Sequence, residues 1–219
     1  MPRLLFEKTG PAVYISHLDL MRLFQRAFKR AGLHLTHTQG FNPRPSVSIV
    51  LPLSVGVESH CELLGFALEG DEVSENEILE RLNAALVPGI RVLQVYQDGS
   101  KTKNLSYLDC LVTLEYDTVV PEDAKGRVEA LFARPSLRVE KRGKNGITQQ
   151  DIIPMIWAME VTQPDKNTLV LRARVSCQNP TLNPAQLVAA IEVYLPELKP
   201  NFSHCCRCEV YCADETIFR

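Results

Sequence analysis

Three arginines of one segment are spaced so that they could bind phosphates together. Arg22, Arg26 and Arg30 recur every four residues, and Asp19 stands three residues before the first, so all four side chains share one stripe of a helix. Guanidinium groups are planar donors that bind phosphate or carboxylate oxygens in pairs. The stripe therefore predicts phosphate contacts along a helix. The alternative is a solvated face with an ion pair between Asp19 and Arg22, since exposed pairs of this kind are common and weak.

A second group of candidate contacts lies in the segment Gln39-Gly40-Phe41-Asn42-Pro43-Arg44-Pro45. Each proline fixes its own φ and restricts the residue before it, so Asn42 and Arg44 have little conformational freedom. An arginine held in this way suits a phosphate, and an exposed Phe41 ring suits the face of a base. We predict a nucleic-acid-binding surface that includes Gln39, Phe41, Asn42 and Arg44. The alternative places Phe41 in the core.

His17 is a weak catalytic candidate in the first turn of the same helix. The positive end of the helix dipole favours its neutral form, which could accept a proton. An endoribonuclease would use such a histidine against a 2′-hydroxyl, with arginines stabilising the phosphate. A capping or buried structural histidine is the alternative that we favour, because one histidine without a geometric partner does not define a site.

The composition indicates a globular protein with an uneven charge. The 219 residues are 45% hydrophobic and 23% charged, which is ordinary for a globular chain. Residues 1–57 hold seven Lys or Arg against two acidic residues, a net charge of +5, whereas the whole chain carries −2 and the remainder therefore −7. This asymmetry indicates a localised anionic partner rather than general binding to nucleic acid.

We expect no signal peptide, because Met1-Pro2-Arg3 does not lead into an apolar segment, and no apolar stretch approaches membrane-spanning length. We therefore expect a cytoplasmic protein without a membrane partner, in which the seven cysteines are reduced thiols. The run His204-Cys205-Cys206-Arg207-Cys208 does not predict zinc, because alternate residues of a strand lie about 7 Å apart and their sulfurs do not meet at one tetrahedral metal. We expect no metal site.

Local patterns predict the element order β-α-β-β-α-β for the first half. A helix begins at the cap Ser16, with Asp19 in the capping-box position, and ends at Gly32. The other predicted elements are extended segments at 3–6 and 12–15, strands at 47–51, 61–68 and 90–96, and a helix at 74–86. The polar residues 97–104 are the best linker candidate.

A second cycle follows the linker. It comprises predicted strands at 107–116, 137–142, 157–162, 168–176 and 202–212 and helices at 122–132 and 184–194, with Trp157 as a core anchor. Helices that cover one face of a sheet in each half predict an α+β fold of two tandem ferredoxin-like sandwiches. The predicted domains are 1–97 and 105–219, and an insert near 143–155 does not fit that plan.

The chain resembles radical SAM-linked proteins, a bacterial family of unknown function, in three segments: Ser16-His17-Leu18-Asp19-Leu20-Met21-Arg22, Gly40-Phe41-Asn42-Pro43-Arg44-Pro45 and Pro52-Leu53-Ser54-Val55-Gly56-Val57-Glu58-Ser59. The match is close over residues 3–68 and looser beyond, where the chain reads Arg207-Cys208-Glu209 in place of an Arg-Thr-Glu-like triplet. Members are similar to a domain found at the C-terminus of certain radical S-adenosylmethionine proteins.

The resemblance implies a radical SAM enzyme as partner. S-adenosylmethionine and an iron-sulfur cluster would belong to that partner, because this chain has no C-x3-C-x2-C run and we expect no cofactor in it. The sequence favours a non-catalytic accessory protein that binds RNA for an RNA-modifying enzyme. The alternatives are a metal-independent endoribonuclease that uses His17, and an adaptor that docks the enzyme through residues 40–45.

Overall fold

A computed structural model gives the fold of the chain and describes residues 2–70, 73–97, 99–143 and 146–219. The polypeptide divides into two units, residues 1–102 with Arg219 and residues 103–218. The division falls inside the polar segment 97–104, of which Asp98 lies outside the described residues. In the described part of the chain, no helix has the length and apolar character needed to cross a membrane.

The described residues of the first unit follow the order β-α-β-β-α-β. The elements are β1 (Arg3–Lys8), α1 (His17–Arg30), β2 (Val47–Ile49), β3 (Glu58–Phe66), α2 (Glu75–Ala85) and β4 (Ile90–Tyr96). The strands pair in the order β4-β1-β3-β2, and each pair is antiparallel. This order of elements is the one that the sequence predicts for the first half.

The predicted extended segment at 12–15 is wrong, because Gly10–Tyr14 forms a 3₁₀ turn. The ammonium of Lys8 lies inside the unit and donates to the carbonyl oxygens of Val13 at 3.0 Å and Ile15 at 2.9 Å. Burial lowers the pKa of Lys8, and the carboxylate of Glu62 partly opposes this effect. The buried ammonium thereby fixes the backbone that leads into α1.

Helix α1 begins and ends where the predicted cap Ser16 and Gly32 indicate. The Ser16 hydroxyl accepts the backbone N–H of Asp19 at 3.2 Å, and Gly32 follows the helix with a φ of +68°, which suits glycine. The buried face packs Phe24 against Phe6 with ring centroids 4.8 Å apart. Because truncating a buried phenylalanine costs about 3–5 kcal/mol, this packing holds the polar face of α1 in a defined orientation.

The second unit repeats the same pairing with an added hairpin. Its elements are β5 (Leu105–Glu115), α3 (Ala124–Phe132), β6 (Arg138–Gly143), β7 (Gly146–Asp151), β8 (Ile156–Asp165), β9 (Thr168–Ser176), α4 (Ala185–Tyr194) and β10 (Phe202–Cys212). The main strands pair in the order β10-β5-β9-β8, and each pair is antiparallel. Strands β6 and β7 pair only with each other among the described strands.

Two expectations for the second unit need correction. The predicted strand at 137–142 pairs with β7 in the separate hairpin, so the insertion begins before the predicted 143–155, of which residues 144–145 lie outside the described residues. Trp157 is not a core anchor, because it is 59% exposed. Its indole N–H donates to the Ser176 hydroxyl at 2.9 Å, and its ring meets Tyr107 edge-on with centroids 4.9 Å apart.

Candidate nucleic-acid interface

The three arginines of α1 line one groove. We call this the arginine groove; it has a volume of about 460 Å³ and is lined by Ile15, Asp19, Arg22, Leu23, Arg26, Arg30 and Val87. The spacing of four residues between successive arginines places their Cα atoms about 6 Å apart along the helix. The structure therefore brings together the residues that the sequence grouped, and it adds an apolar wall.

The opposite wall of the arginine groove comes from the turn between α2 and β4. The backbone N–H of Thr9 donates to the carbonyl of Gly89 at 2.8 Å, and Gly89 has a φ of +85° with the Thr9 carbonyl where a β-carbon would stand. Only glycine accommodates both conditions at this position. This close approach places Val87 opposite the arginine stripe.

The three guanidinium groups differ in how far they are engaged. Arg22 pairs with Asp19 at 3.0 Å on the exposed surface, and hydrogen bonds from Ser16 and Arg22 lower the pKa of Asp19. Arg30 donates to the carbonyl of Ala85 at 2.6 Å, which is at the negative end of α2. Arg26 is exposed and makes no hydrogen bond or ion pair with the described part of the chain.

We call Gln39–Pro45 the proline loop, and its base is closed by pairing between Thr38 and Arg44. The N–H of Thr38 donates to the Arg44 carbonyl at 2.8 Å, and the N–H of Arg44 donates to the Thr38 hydroxyl at 3.0 Å. An isolated antiparallel bridge joins His37 to Pro45. The backbone around Arg44 is therefore held by hydrogen bonds as well as by the prolines.

The side chains of the proline loop point away from the core. Phe41 is fully exposed, so the alternative that placed it in the core is wrong. Gln39, Asn42 and Arg44 are also exposed, and within the described residues their side chains make no hydrogen bond or ion pair. These groups are available to a ligand without breaking an internal contact.

Arg44 does not line the arginine groove. The loop adjoins a second groove through Pro45, with a volume of about 310 Å³, lined by Gln25, Lys29, Leu33, His34, Leu35, His37, Pro45 and Glu69. We call this the histidine groove. Gln25 and Leu23, which line different grooves, lie on opposite sides of the arginine stripe of α1. The arginines of α1 thus line one groove and the proline loop adjoins the other, with the exposed ridge of α1 between the two grooves.

Sequence reasoning missed the histidine groove. His34 and His37 have no diagnostic spacing, and Glu69 comes from a distant part of the chain. The structure brings the His37 Nδ1 to 3.8 Å from the Glu69 Oε1. The weak available signal was that Lys29, in the last turn of α1, is followed by His34 and His37 before the proline loop.

His17 lines neither groove. Its Nδ1 is buried and has no hydrogen-bond partner among the described residues. Among the residues that the structure describes, no acid or base therefore orients this imidazole through Nδ1, as a histidine base in a catalytic pair requires.

The cysteines of the last strand differ in exposure but do not alternate. Cys205 and Cys206 are both buried, and Cys208 is exposed. Burial raises the pKa of Cys110 to about 12 and those of Cys177 and Cys205 to about 11, so these thiols stay protonated at neutral pH. Among the described residues, no three His, Cys, Asp or Glu side chains lie close enough to hold a metal ion.

A family model described as uncharacterized protein conserved in bacteria (DUF2344) matches residues 2–184. No curated protein matches the sequence. Among solved structures, a chain in the crystal structure of a Cbf5-Nop10-Gar1 complex is 10% identical, with a TM-score of 0.52 over 95% of this chain and 48% of that chain. A chain in the structure of an H/ACA RNP bound to a substrate RNA containing 2′-deoxyuridine is 10% identical, with a TM-score of 0.48. The match covers 94% of this chain and 46% of that chain.

The likeness to the Cbf5-Nop10-Gar1 chain concerns the fold alone, because only 10% of the residues are identical. The present chain spans about half the length of both solved chains, 48% and 46%. The first of these similarities supports a mixed α+β architecture and says nothing about activity.

Proposed function

The chain belongs to DUF2344, a family of uncharacterised proteins conserved in bacteria, and we propose that it is an RNA-binding accessory protein without catalytic activity of its own. In this role Arg22, Arg26 and Arg30 contact phosphates along α1, and Arg44 contacts a further phosphate. Phe41 stacks on a base, while Gln39 and Asn42 hydrogen-bond to base or sugar.

The observation that carries this proposal is that the three arginines line one groove, where Arg26 makes no hydrogen bond or ion pair with the described residues. A helix face with several cations in a row suits the regular charges of a nucleic-acid backbone. Residues 1–57, which contain α1 and the proline loop, carry a net charge of +5 in a chain that carries −2, so this attraction is concentrated on that segment. The fully exposed ring of Phe41 in the proline loop favours single-stranded RNA, whose bases are free to stack.

We propose a radical SAM enzyme that modifies RNA as the protein partner, acting with this chain in the cytoplasm. The support for this partner is the resemblance in residues 16–22, 40–45 and 52–59. The partner would carry S-adenosylmethionine and the iron-sulfur cluster, and this chain would present the RNA.

We also propose that each unit is a ferredoxin-like sandwich. The strand orders β4-β1-β3-β2 and β10-β5-β9-β8 support this assignment, since each places the first and third strands of its cycle at the centre. The β6–β7 hairpin is then an insertion into the second sandwich.

Crosslinking in cells tests the function directly. RNA crosslinked to the protein is sequenced, and co-purifying proteins are identified by mass spectrometry, for wild type and for Arg22→Ala/Arg26→Ala. We expect uncleaved RNA and a radical SAM enzyme with wild type, and much less RNA with the variant. Cleaved ends at the crosslink sites would favour the endoribonuclease, and an enzyme partner without RNA would favour the adaptor.

A further inference from the structure

The histidine groove differs in chemistry from the arginine groove. Its floor is apolar, since Leu33 and Leu35 are buried and Pro45 closes one side. Its rim carries an amide, an ammonium, two imidazoles and a carboxylate, contributed by Gln25, Lys29, His34, His37 and Glu69. An apolar floor with a few donors and acceptors is typical of a site that binds a small organic group.

The position of Glu69 is fixed by the backbone around it. The N–H of Glu69 donates to the carbonyl of His34 at 2.8 Å, and Leu35 forms an antiparallel bridge with Leu68. The carboxylate faces His37 at 3.8 Å and is 58% exposed. It is therefore an accessible acceptor held at the edge of the groove.

We infer that the histidine groove holds one guanine base of the bound RNA strand, with its N1–H and N2–H groups donating to the Glu69 carboxylate. This inference rests on the proposed RNA binding and adds base recognition to it. A carboxylate repels a phosphate, so this groove is not a second phosphate site. Two adjacent donors on the Watson–Crick edge of guanine match the two oxygens of a carboxylate, whereas uracil offers one donor between two acceptors.

The groove lies where a base of the bound strand would reach it. Lys29 lines the histidine groove and follows Arg26 by three residues, so the two side chains are neighbours on α1. Lys29 contacts the phosphate next to the guanosine, and the strand crosses the ridge of α1 between the grooves. The apolar floor then stacks on the base while Gln25 and the imidazoles hydrogen-bond to its remaining edge.

Short RNAs of equal length separate base recognition from phosphate binding. The probes are an all-uridine RNA and three versions with guanosine, adenosine or cytidine at the centre, and binding is measured by fluorescence anisotropy at several salt concentrations. All four probes carry the same phosphates, so differences between them report the base alone. The variants are Glu69→Gln, which keeps the shape of the side chain, and Glu80→Gln, a matched loss of charge at an exposed position of α2.

Wild type and Glu80→Gln should prefer the guanosine probe by about ten-fold over the uridine probe, the size expected for one paired base contact. Glu69→Gln should lose most of this preference while its salt dependence and melting temperature stay unchanged. Equal binding of the four probes by wild type, or a guanosine preference that survives Glu69→Gln, would overturn the base assignment. Neither result would contradict phosphate binding in the arginine groove. Failure of wild type to bind any probe would overturn the proposed RNA binding and this inference with it.

Discussion

Removing the Arg26 guanidinium is the cleanest test of the arginine groove, because this side chain makes no hydrogen bond or ion pair with the described part of the chain. Arg26→Ala should therefore leave the melting temperature unchanged, and alanine also favours the helix. Counting only the phosphate contacts of Arg22, Arg26, Arg30 and Arg44 on single-stranded RNA, raising salt from 50 to 200 mM should weaken wild-type binding about 50-fold. With three contacts the loss should be about 20-fold, and with two, in Arg22→Ala/Arg26→Ala, about 7-fold.

The assay is fluorescence anisotropy of a labelled single-stranded RNA titrated at several salt concentrations, with the slope of log affinity against log salt as readout. Arg172→Ala is the matched control, since Arg172 is an exposed arginine on β9 of the second unit. We expect each groove arginine to change the slope by about 0.7 and the control to change it little. An Arg26→Ala variant with the affinity and slope of the control would refute the reasoning. The arginine stripe would then be a solvated helix face that does not contact phosphates.

Further measurements address other parts of the molecule. Phe41→Ala should keep the melting temperature of wild type, since the ring is fully exposed, and should weaken RNA binding by about 1–3 kcal/mol if a base stacks on it. Lys8→Met should lower the free energy of unfolding in a urea titration by about 2 kcal/mol, because two carbonyl oxygens lose their donor. Iodoacetamide at pH 8 should label the exposed Cys208 well before the buried Cys110, as mass spectrometry of the native protein would show. The backbone N–H of Leu137 lowers the pKa of Asp151, so wild type should have a higher melting temperature than Asp151→Asn at pH 6. This difference should shrink as the pH falls through that lowered pKa, and a difference that does not change with pH would contradict the reasoning.

The parts of the candidate site that the sequence predicts are local ones. The cap at Ser16 and the end at Gly32 follow from contacts within a few residues, and the structure has both. The grouping of Arg22, Arg26 and Arg30 follows from the 3.6-residue repeat of a helix. The stiffness of the proline loop follows from the covalent geometry of proline.

The expectations that failed depend on contacts that a local sequence pattern does not contain. The segment 12–15 has the local pattern of a strand, yet the buried ammonium of Lys8 holds it in a turn. Residues 137–142 do form a strand, but only tertiary pairing assigns that strand to β7 rather than to the main sheet. Trp157 lies on β8, the last strand in the order β10-β5-β9-β8, and its side chain is exposed although tryptophan is usually buried.

The sequence by itself determined the helix α1, its polar stripe and the stiff loop after it, because each depends on periodicity or on the covalent properties of neighbouring residues. Only the tertiary structure decided what faces the stripe. Val87 reaches the arginine groove through the approach of Gly89 to Thr9, and Glu69 reaches the histidine groove through the pairing beside Leu35. Such pairings join residues that are far apart in the chain, so no local pattern specifies them.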